Sequence, residues 1–268
     1  MITAALAAAA VVGLVLSGCS KKTGVTGGLT LEKGVLKVGM EIGYPPFEYF
    51  DTDGKTPAGF DVQLGKEISK RLGLEMQIVD TAWDGIFAGI DTDKYDCIMS
   101  AVTITGERKE KYDFSRPYIG NGQSLVLTKN SKVTAKTPEE LSGLKVAYQA
   151  ETTSDIYMTK LADNGLKFEA EEYDKVLNCF DDLKLGRVDA VVADSLVSVD
   201  YVNKPGSPFV MAWKADPTEF FGVCMKKGNT ELVEAVNKAL TDMYADGTLV
   251  KMSEDIFGSD MVSGAKNQ

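Results

Sequence analysis

The chain has 268 residues, 44% of them hydrophobic and 25% charged, enough apolar material for one large core or two modest ones. Its formal net charge of -10, with lysines scattered along the chain, argues against a nucleic-acid face or a polybasic membrane patch. Histidine is absent, which removes imidazole acid–base catalysis, Ser-His-Asp and Cys-His triads and imidazole metal sites; no metal and no cofactor is expected.

The apolar run from Ala4 to Leu16 is too short to span a bilayer as a permanent helix and suits the core of a signal peptide. It ends in Leu16-Ser17-Gly18-Cys19, which resembles the lipobox of bacterial lipoproteins, in which the cysteine carries the lipid and becomes the first mature residue. Residues 1–19 therefore read as a signal peptide with Cys19 as the lipidation site. Residues 20–30, small, polar and glycine-rich, read as a flexible tether.

The folded body follows. Val35 to Met40 reads as a strand, and Gly43-Tyr44-Pro45-Pro46-Phe47 as a loop, because two prolines suit neither a helix interior nor a central strand. Gly54-Lys55-Thr56 has the tail of a phosphate-binding loop, but Tyr49 stands where its first glycine belongs. Phe60, Leu64, Ile68 and Leu72 mark an amphipathic helix ended by Gly73; Leu74, Met76 and Ile78 alternate as a strand, and Trp83 to Ile90 gives a short helix. Tyr95 to Ser100 is a buried strand, continued to Thr105 by a polar lip, after which Glu107-Arg108-Lys109 opens a helical turn. Strand ends are where open α/β sheets bind ligands, and an arginine fork matches a carboxylate, so Ser100, Thr103 and Arg108 read as a carboxylate-holding shelf.

Gly120-Asn121-Gly122 is a breaker cluster at an expected domain crossing, and Ser124 to Thr128 a strand. Thr137-Pro138-Glu139-Glu140 has the capping threonine, early proline and glutamate of a helix start. Strands are expected at Leu144 to Tyr148, Phe168 to Tyr173, Val188 to Ala193, Phe209 to Trp213 and Phe220 to Met225. Helices are expected from Thr152 to about Ala162, around Val176 to Leu183, from Ser195 to Tyr201, from Leu232 to Gly247, and over Leu249 to Phe257. Lys94-Tyr95-Asp96-Cys97-Ile98-Met99 and Arg187-Val188-Asp189-Ala190-Val191-Val192 share one pattern, and two βα lobes of similar build imply a cleft between them.

With these residues placed, the chain from about Leu31 to Phe257 resembles the polar amino-acid solute-binding proteins of bacterial ABC importers. The resemblance lies in Gly59-Phe60-Asp61-Val62, Trp83-Asp84-Gly85, Thr103-Ile104-Thr105-x-Glu107-Arg108, Asp113-Phe114-Ser115-x-Pro117-Tyr118 and Val188-Asp189-Ala190-Val191-x-x-Asp194. It implies a two-lobed α/β fold of the periplasmic-binding type, each lobe a mostly parallel sheet flanked by helices. Residues 31–118 with 222–262 would form lobe 1 and 119–221 lobe 2, joined by two hinge strands. It implies that Thr103 and Arg108, with Ser100 and Ala101, hold the ligand α-carboxylate and that the helix start at Thr152 and Thr153, beside Gln149, adds donors. Asp194 would accept the α-ammonium, Tyr44 and Trp83 pack on the ligand, and Glu41 meet its side chain. Partners would be a small amino acid, polar or basic, the transmembrane subunits of an ABC permease, and the membrane through the lipid anchor. No nucleic acid is involved, and the protein would be a monomer on the extracytoplasmic face, outer surface or periplasmic side.

Physical chemistry asks the same of the site. A zwitterion is costly to desolvate unless both charges are met, so one lobe offers Arg108 and the other Asp194 and binding draws them together. Asp194 as a cap of the following helix competes with that role. Glu151 is a departure, a carboxylate beside a carboxylate-binding helix start, which suits a cationic ligand group or a side chain pointing away. With Cys19 lipidated, Cys97, Cys179 and Cys224 remain, and buried unpaired thiols are expected. A transport role is expected rather than an enzyme. The alternative is a prephenate-dehydratase-like enzyme on the same fold, which wants contacts for two carboxylates where only one arginine is evident.

Overall fold

The structure, a computed structural model, describes residues 28–268. The expected signal peptide, the lipidation at Cys19 and the tether up to residue 27 lie outside the described residues.

The chain begins with β1 (Val35–Met40), β2 (Tyr49–Phe50), β3 (Pro57–Ala58), α1 (Phe60–Leu72), β4 (Glu75–Asp80), α2 (Trp83–Asp91), β5 (Cys97–Ile98), α3 (Gly106–Lys111) and β6 (Tyr112–Phe114). A short strand, β7 (Ile119–Asn121), leads into β8 (Gln123–Thr128), β9 (Lys145–Gln149), α4 (Thr153–Asp163), β10 (Glu169–Tyr173), α5 (Val176–Leu185), β11 (Ala190–Asp194), α6 (Ser195–Asn203) and β12 (Phe209–Lys214). The return runs through β13 (Glu219–Phe221) to β14 (Cys224–Lys226), α7 (Thr230–Ala245) and α8 (Thr248–Phe257).

Two five-stranded sheets result, ordered β4-β1-β5-β14-β6 and β10-β9-β11-β8-β12. Within them β4, β1 and β5 are parallel, as are β10, β9 and β11. In each sheet one strand runs against its neighbours, β14 in the first and β8 in the second. Each reversed strand follows directly on the crossing between lobes, and so enters its sheet from the end at which the parallel strands leave it. This is the two-lobed, mostly parallel α/β architecture implied by the motifs.

The repeated sequence pattern has a structural cause. Asp96 accepts the Lys37 N–H at 2.7 Å, and Asp189 accepts the Lys145 N–H at 2.8 Å. The same aspartates donate their own N–H to the Lys37 and Lys145 carbonyls, both at 2.9 Å. One carboxylate thus fastens the central strand of each sheet to the first residues of its parallel neighbour. Both lobes consequently bring the carboxyl ends of two adjacent parallel strands to one edge.

Helix faces pack as their periodicity requires. Phe60, Leu64 and Ile68 of α1 and Leu232, Val236, Leu240 and Met243 of α7 are fully buried, each contributing about 1.5–3 kcal/mol by removal from water. Cys97, Cys179 and Cys224 are free and buried. Cys97 belongs to the large core cluster and Cys224 to the smaller one around Trp83 and Tyr95, so these two adjoining strands send their thiols to different cores.

Four sequence expectations are corrected. The apolar run Phe220 to Met225 is two strands: β13 pairs with β7, whereas β14 enters the first sheet. The break falls at Gly222, where a Cβ would stand 2.7 Å from Ile104 Cδ1. Gly120-Asn121-Gly122, read as a breaker, is half strand, because β7 and β13 form the antiparallel ladder between the sheets. A Cβ at Gly122 would lie 2.7 Å from the Asp216 carbonyl, so glycine serves close approach of two chain segments there. The helix start at Thr137 yields only a single 3-10 turn, Pro138–Glu140. Gly143 at φ 76 then turns the chain, and its N–H goes to the Lys167 carbonyl at 2.7 Å instead of to a helical partner. The strand expected over Tyr95 to Ser100 shortens to Cys97–Ile98, flanked by the Asp96 and Met99 N–H bonds to the Lys37 and Gly39 carbonyls, with Ser100 and Ala101 forming a corner.

Candidate ligand-binding site

Strand ends from both lobes face one another. Glu41 follows β1, Ser100 and Ala101 follow β5, Gln149 ends β9 and Asp194 ends β11. Together with Tyr44, Trp83, Thr103, Arg108, Thr152 and Thr153 they line one pocket between the lobes, which brings all eleven residues singled out in the sequence to one place.

Arg108 stands on α3, whose cap Thr105 accepts the Arg108 N–H at 3.1 Å. The guanidinium donates to the Thr103 carbonyl at 3.0 Å and, across the lobes, to the Glu151 carbonyl at 3.4 Å. It packs over the rings of Trp83 and Phe87, 5.4 and 5.1 Å from their centroids. Among the described residues no carboxylate pairs with it, and burial lowers its pKa from the ordinary arginine value. Facing it, Thr152 caps α4 by accepting the Asp155 N–H and donates to the Gln149 carbonyl at 2.7 Å. Asp155 in turn accepts the Glu151 N–H at 2.8 Å, holding Glu151 at φ 60. The Glu151 side chain is exposed, and its carbonyl is what the cleft sees, accepting also from Trp83 Nε1 at 3.2 Å. The unfavourable carboxylate of the sequence reading therefore points away.

Asp194 occupies the N-cap position of α6 but makes no capping hydrogen bond. Asn121 Oδ1 caps that helix instead, accepting from Ser195 Oγ at 3.2 Å and the Leu196 N–H at 3.4 Å. The Asp194 carboxylate turns into the cleft and accepts from Tyr44 Oη of the opposite lobe at 2.6 Å, Asn121 Nδ2 at 2.7 Å and Gln123 Nε2 at 3.3 Å. Burial first, and the neighbouring Glu219 second, push it up to about 7. Tyr44 is raised well above its ordinary value by burial and by Asp194.

At the other end of the pocket Gln149 Nε2 donates both to Glu41 Oε2 and to the Asp174 carbonyl, each at 2.9 Å. Two acceptors fix the amide orientation, since a flipped amide would set its oxygen against them. Glu41 Oε1 and Gln149 Oε1 are consequently buried acceptors without a donor among the described residues. Burial raises the Glu41 pKa.

Sequence reading missed Asn121, Gln123, Glu219, Glu48 and Asp61. Gln123 Nε2 joins Thr153 and Asp194 to the β13 carboxylate of Glu219, which also accepts from Thr153 Oγ1 at 3.1 Å. Asn121 and Gln123 sat in or beside the supposed breaker, and Glu219 followed Pro217; only the β7–β13 pairing shows that this crossing runs under the site. Among the described residues no group of three or more acidic or cysteine side chains could hold a metal, and no helix is long and apolar enough to cross a membrane.

Two α/β lobes, linked by a crossing ladder and closing strand ends of opposite charge preference over one pocket, define a solute-binding protein. The model of the bacterial extracellular solute-binding proteins, family 3, matches residues 36–259, and the chain belongs to that family. It is 38% identical over 230 residues to the L-cystine-binding protein TcyJ of Escherichia coli (strain K12), covering 86% of this chain and 85% of the relative. It is 36% identical over 232 residues to the L-cystine-binding protein TcyA of Bacillus subtilis (strain 168), covering 86% and 84%. Among solved structures it is similar to an ancestral arginine-binding protein bound to arginine, with TM-score 0.81 and 38% identity over 84% of this chain and 99% of that one.

Proposed function

We propose that this chain is the amino-acid-binding component of a bacterial ABC importer, anchored by lipid at Cys19 and delivering its ligand to the permease. The observation that carries the reading is one of charge: Arg108 on one lobe and Asp194 on the other face a single pocket, and neither has a salt-bridge partner among the described residues. A zwitterion supplies both missing partners at once. Its carboxylate takes Arg108, the Thr103 hydroxyl and the start of α4 at Thr152 and Thr153; its ammonium takes Asp194; Tyr44 and Trp83 close over it with the Ser100–Ala101 corner beneath. Lobe 1 comprises 31–118 with 222–262 and lobe 2 comprises 119–221, closing about the β7–β13 ladder.

The orphaned acceptors of Glu41 and Gln149 favour a ligand whose side chain donates hydrogen bonds, cationic before neutral. Arginine offers a guanidinium and cystine a second ammonium, matching what the relatives' names record. An acidic side chain would set like charges together.

A thermal-shift panel on ligand-stripped protein lacking residues 1–19, against the common amino acids with ornithine, citrulline and cystine, tests this. A concentration-dependent rise with the donor-bearing subset is expected, because a ligand of the folded state stabilises by mass action. A flat response to every amino acid overturns the reading. Within the responding set, Glu41→Gln is expected to weaken cationic ligands by about tenfold or more, one charge-assisted hydrogen bond, while L-glutamine changes little. Equal weakening of all ligands in calorimetric titration would remove Glu41 from selectivity.

A further inference from the structure

Behind the pocket floor lie two carboxyl groups for which the ligand has no use. Glu48 and Asp61 are both fully buried, 0% exposed, and among the described residues no lysine or arginine acts on either carboxyl. They are close in the fold, since the Pro46–Phe47 turn lies on the start of α1: Phe60 N–H donates to the Pro46 carbonyl and Asp61 N–H to the Phe47 carbonyl at 3.0 and 2.9 Å. They hold adjacent residues of the β5 corner. Ser100 Oγ donates to Glu48 Oε1 at 2.6 Å, and the Ala101 N–H donates to Asp61 Oδ2 at 2.7 Å.

Each carboxyl has one oxygen satisfied and one buried with no partner, Glu48 Oε2 and Asp61 Oδ1. Two bare carboxylates at such a place are costly, because each desolvated charge is unpaired and the charges repel. One proton held by the pair leaves a single negative charge in place of two. That charge suits Asp61, which accepts from the Ala101 N–H and from Tyr118 Oη at 2.9 Å and sits in the first turn of α1, where the helix dipole favours an anion. Glu48 has only the Ser100 hydroxyl and carries the proton. The other titratable groups facing the pair are Glu41, Tyr44 and Tyr118, none of them a cation.

We propose that Glu48 and Asp61 share one proton, and that this acid–carboxylate pair is a positioning device that holds the Ser100–Ala101 corner of the ligand pocket. The corner needs holding. Ala101 has φ 47, a left-handed conformation that a residue with a Cβ adopts at a cost, and its N–H is pinned by Asp61. Ser100 Oγ, fixed by Glu48, accepts the Glu41 N–H at 3.0 Å and so sets the start of the Glu41 arm. Burial, then the Asp61 charge, hold Glu48 well above the ordinary carboxyl range, and burial holds Asp61 at about 7.

The test uses the protein from residue 20 onward, in wild type, Glu48→Gln and Glu48→Met. At neutral pH the infrared difference between wild type and Glu48→Gln is expected to show the loss of one protonated-carboxyl band, the amide taking over the donated hydrogen bond. Identical spectra in that region overturn the shared proton. Amide exchange at Ala101 is expected to stay slow in Glu48→Gln and to speed up by about tenfold or more in Glu48→Met, which can neither donate to Asp61 nor accept from Ser100. Equally slow exchange in Glu48→Met overturns the positioning role. If that variant fails to fold, Glu48→Gln decides alone: lost band and preserved exchange support the pair, and a retained band overturns it. An affinity arm with L-arginine and L-cystine, expected to follow the exchange pattern, rests on the amino-acid-binding reading. The infrared and exchange arms do not, so failure of either reading is separable.

Discussion

Replacing Arg108 by alanine is expected to abolish measurable amino-acid binding while the lobes stay folded. Everything that holds the guanidinium, the Thr103 and Glu151 carbonyls and the Trp83 and Phe87 rings, orients it without neutralising it. A ligand carboxylate is the counter-charge it lacks, bound in a site already desolvated by aromatic side chains. Truncating one partner of a buried, hydrogen-bonded charge pair costs about 2–5 kcal/mol, or about 30- to 4,000-fold in affinity. Arg108→Lys keeps the charge but loses the planar fork and the ring stacking, so an intermediate loss is expected. Removing an unpaired cation leaves the cores of both lobes untouched, and the ligand-free melting temperature should move by only a few degrees. Isothermal titration with L-arginine and L-cystine reads the affinities; wild-type affinity in Arg108→Ala would mean that the carboxylate lies elsewhere.

Why Arg108 was legible from the sequence and Glu48 was not is a matter of range. A strand, a polar lip and a helical turn within a dozen residues deliver Ser100, Thr103 and Arg108 together, and period and caps mark such local geometry. The aspartates of the repeat, Asp96 and Asp189, were visible because the same hydrogen bond recurs in both lobes and leaves the same residue pattern. Glu48 carries no such signal, and Asp61 stands in the Gly59-Phe60-Asp61-Val62 motif with nothing local to mark its role; the stacking of the Pro46–Phe47 turn on α1 brings the two buried acids together. Phe220 to Met225 misled because one apolar run serves two sheets, and the break falls at Gly222, where a side chain would meet Ile104, a long-range contact that no local rule marks. Asp194 lay between two readings, cap or ligand group. Asn121, 73 positions away and marked by no local signal as its partner, takes over the capping and frees the carboxylate.

That freed carboxylate makes binding sensitive to pH, and the direction follows from its position. In the ligand-free protein Asp194 titrates at about 7, raised by burial and by Glu219. An ammonium beside it favours the ionised form, so the complex titrates lower. Affinity should be level above about pH 7, fall by about tenfold per pH unit below it, and level again beneath the pKa of the complex; near neutrality binding should release protons. Titration calorimetry in buffers of different ionisation enthalpy counts those protons. Asp194→Asn should weaken binding by about 30-fold or more and flatten the profile. A wild-type affinity unchanged between about pH 6 and pH 8 would exclude Asp194 as the ammonium acceptor. Folding of the ligand-free protein should lean the other way. Asp61 and Asp194 titrate at about 7 when folded against an ordinary value of 3.8, so between those values the folded chain holds more protons than the unfolded one and loses stability as pH rises. The two slopes oppose each other. A saturating ligand should therefore raise the melting temperature more at about pH 8 than at about pH 6, since it supplies the positive charge that the buried Asp194 carboxylate lacks.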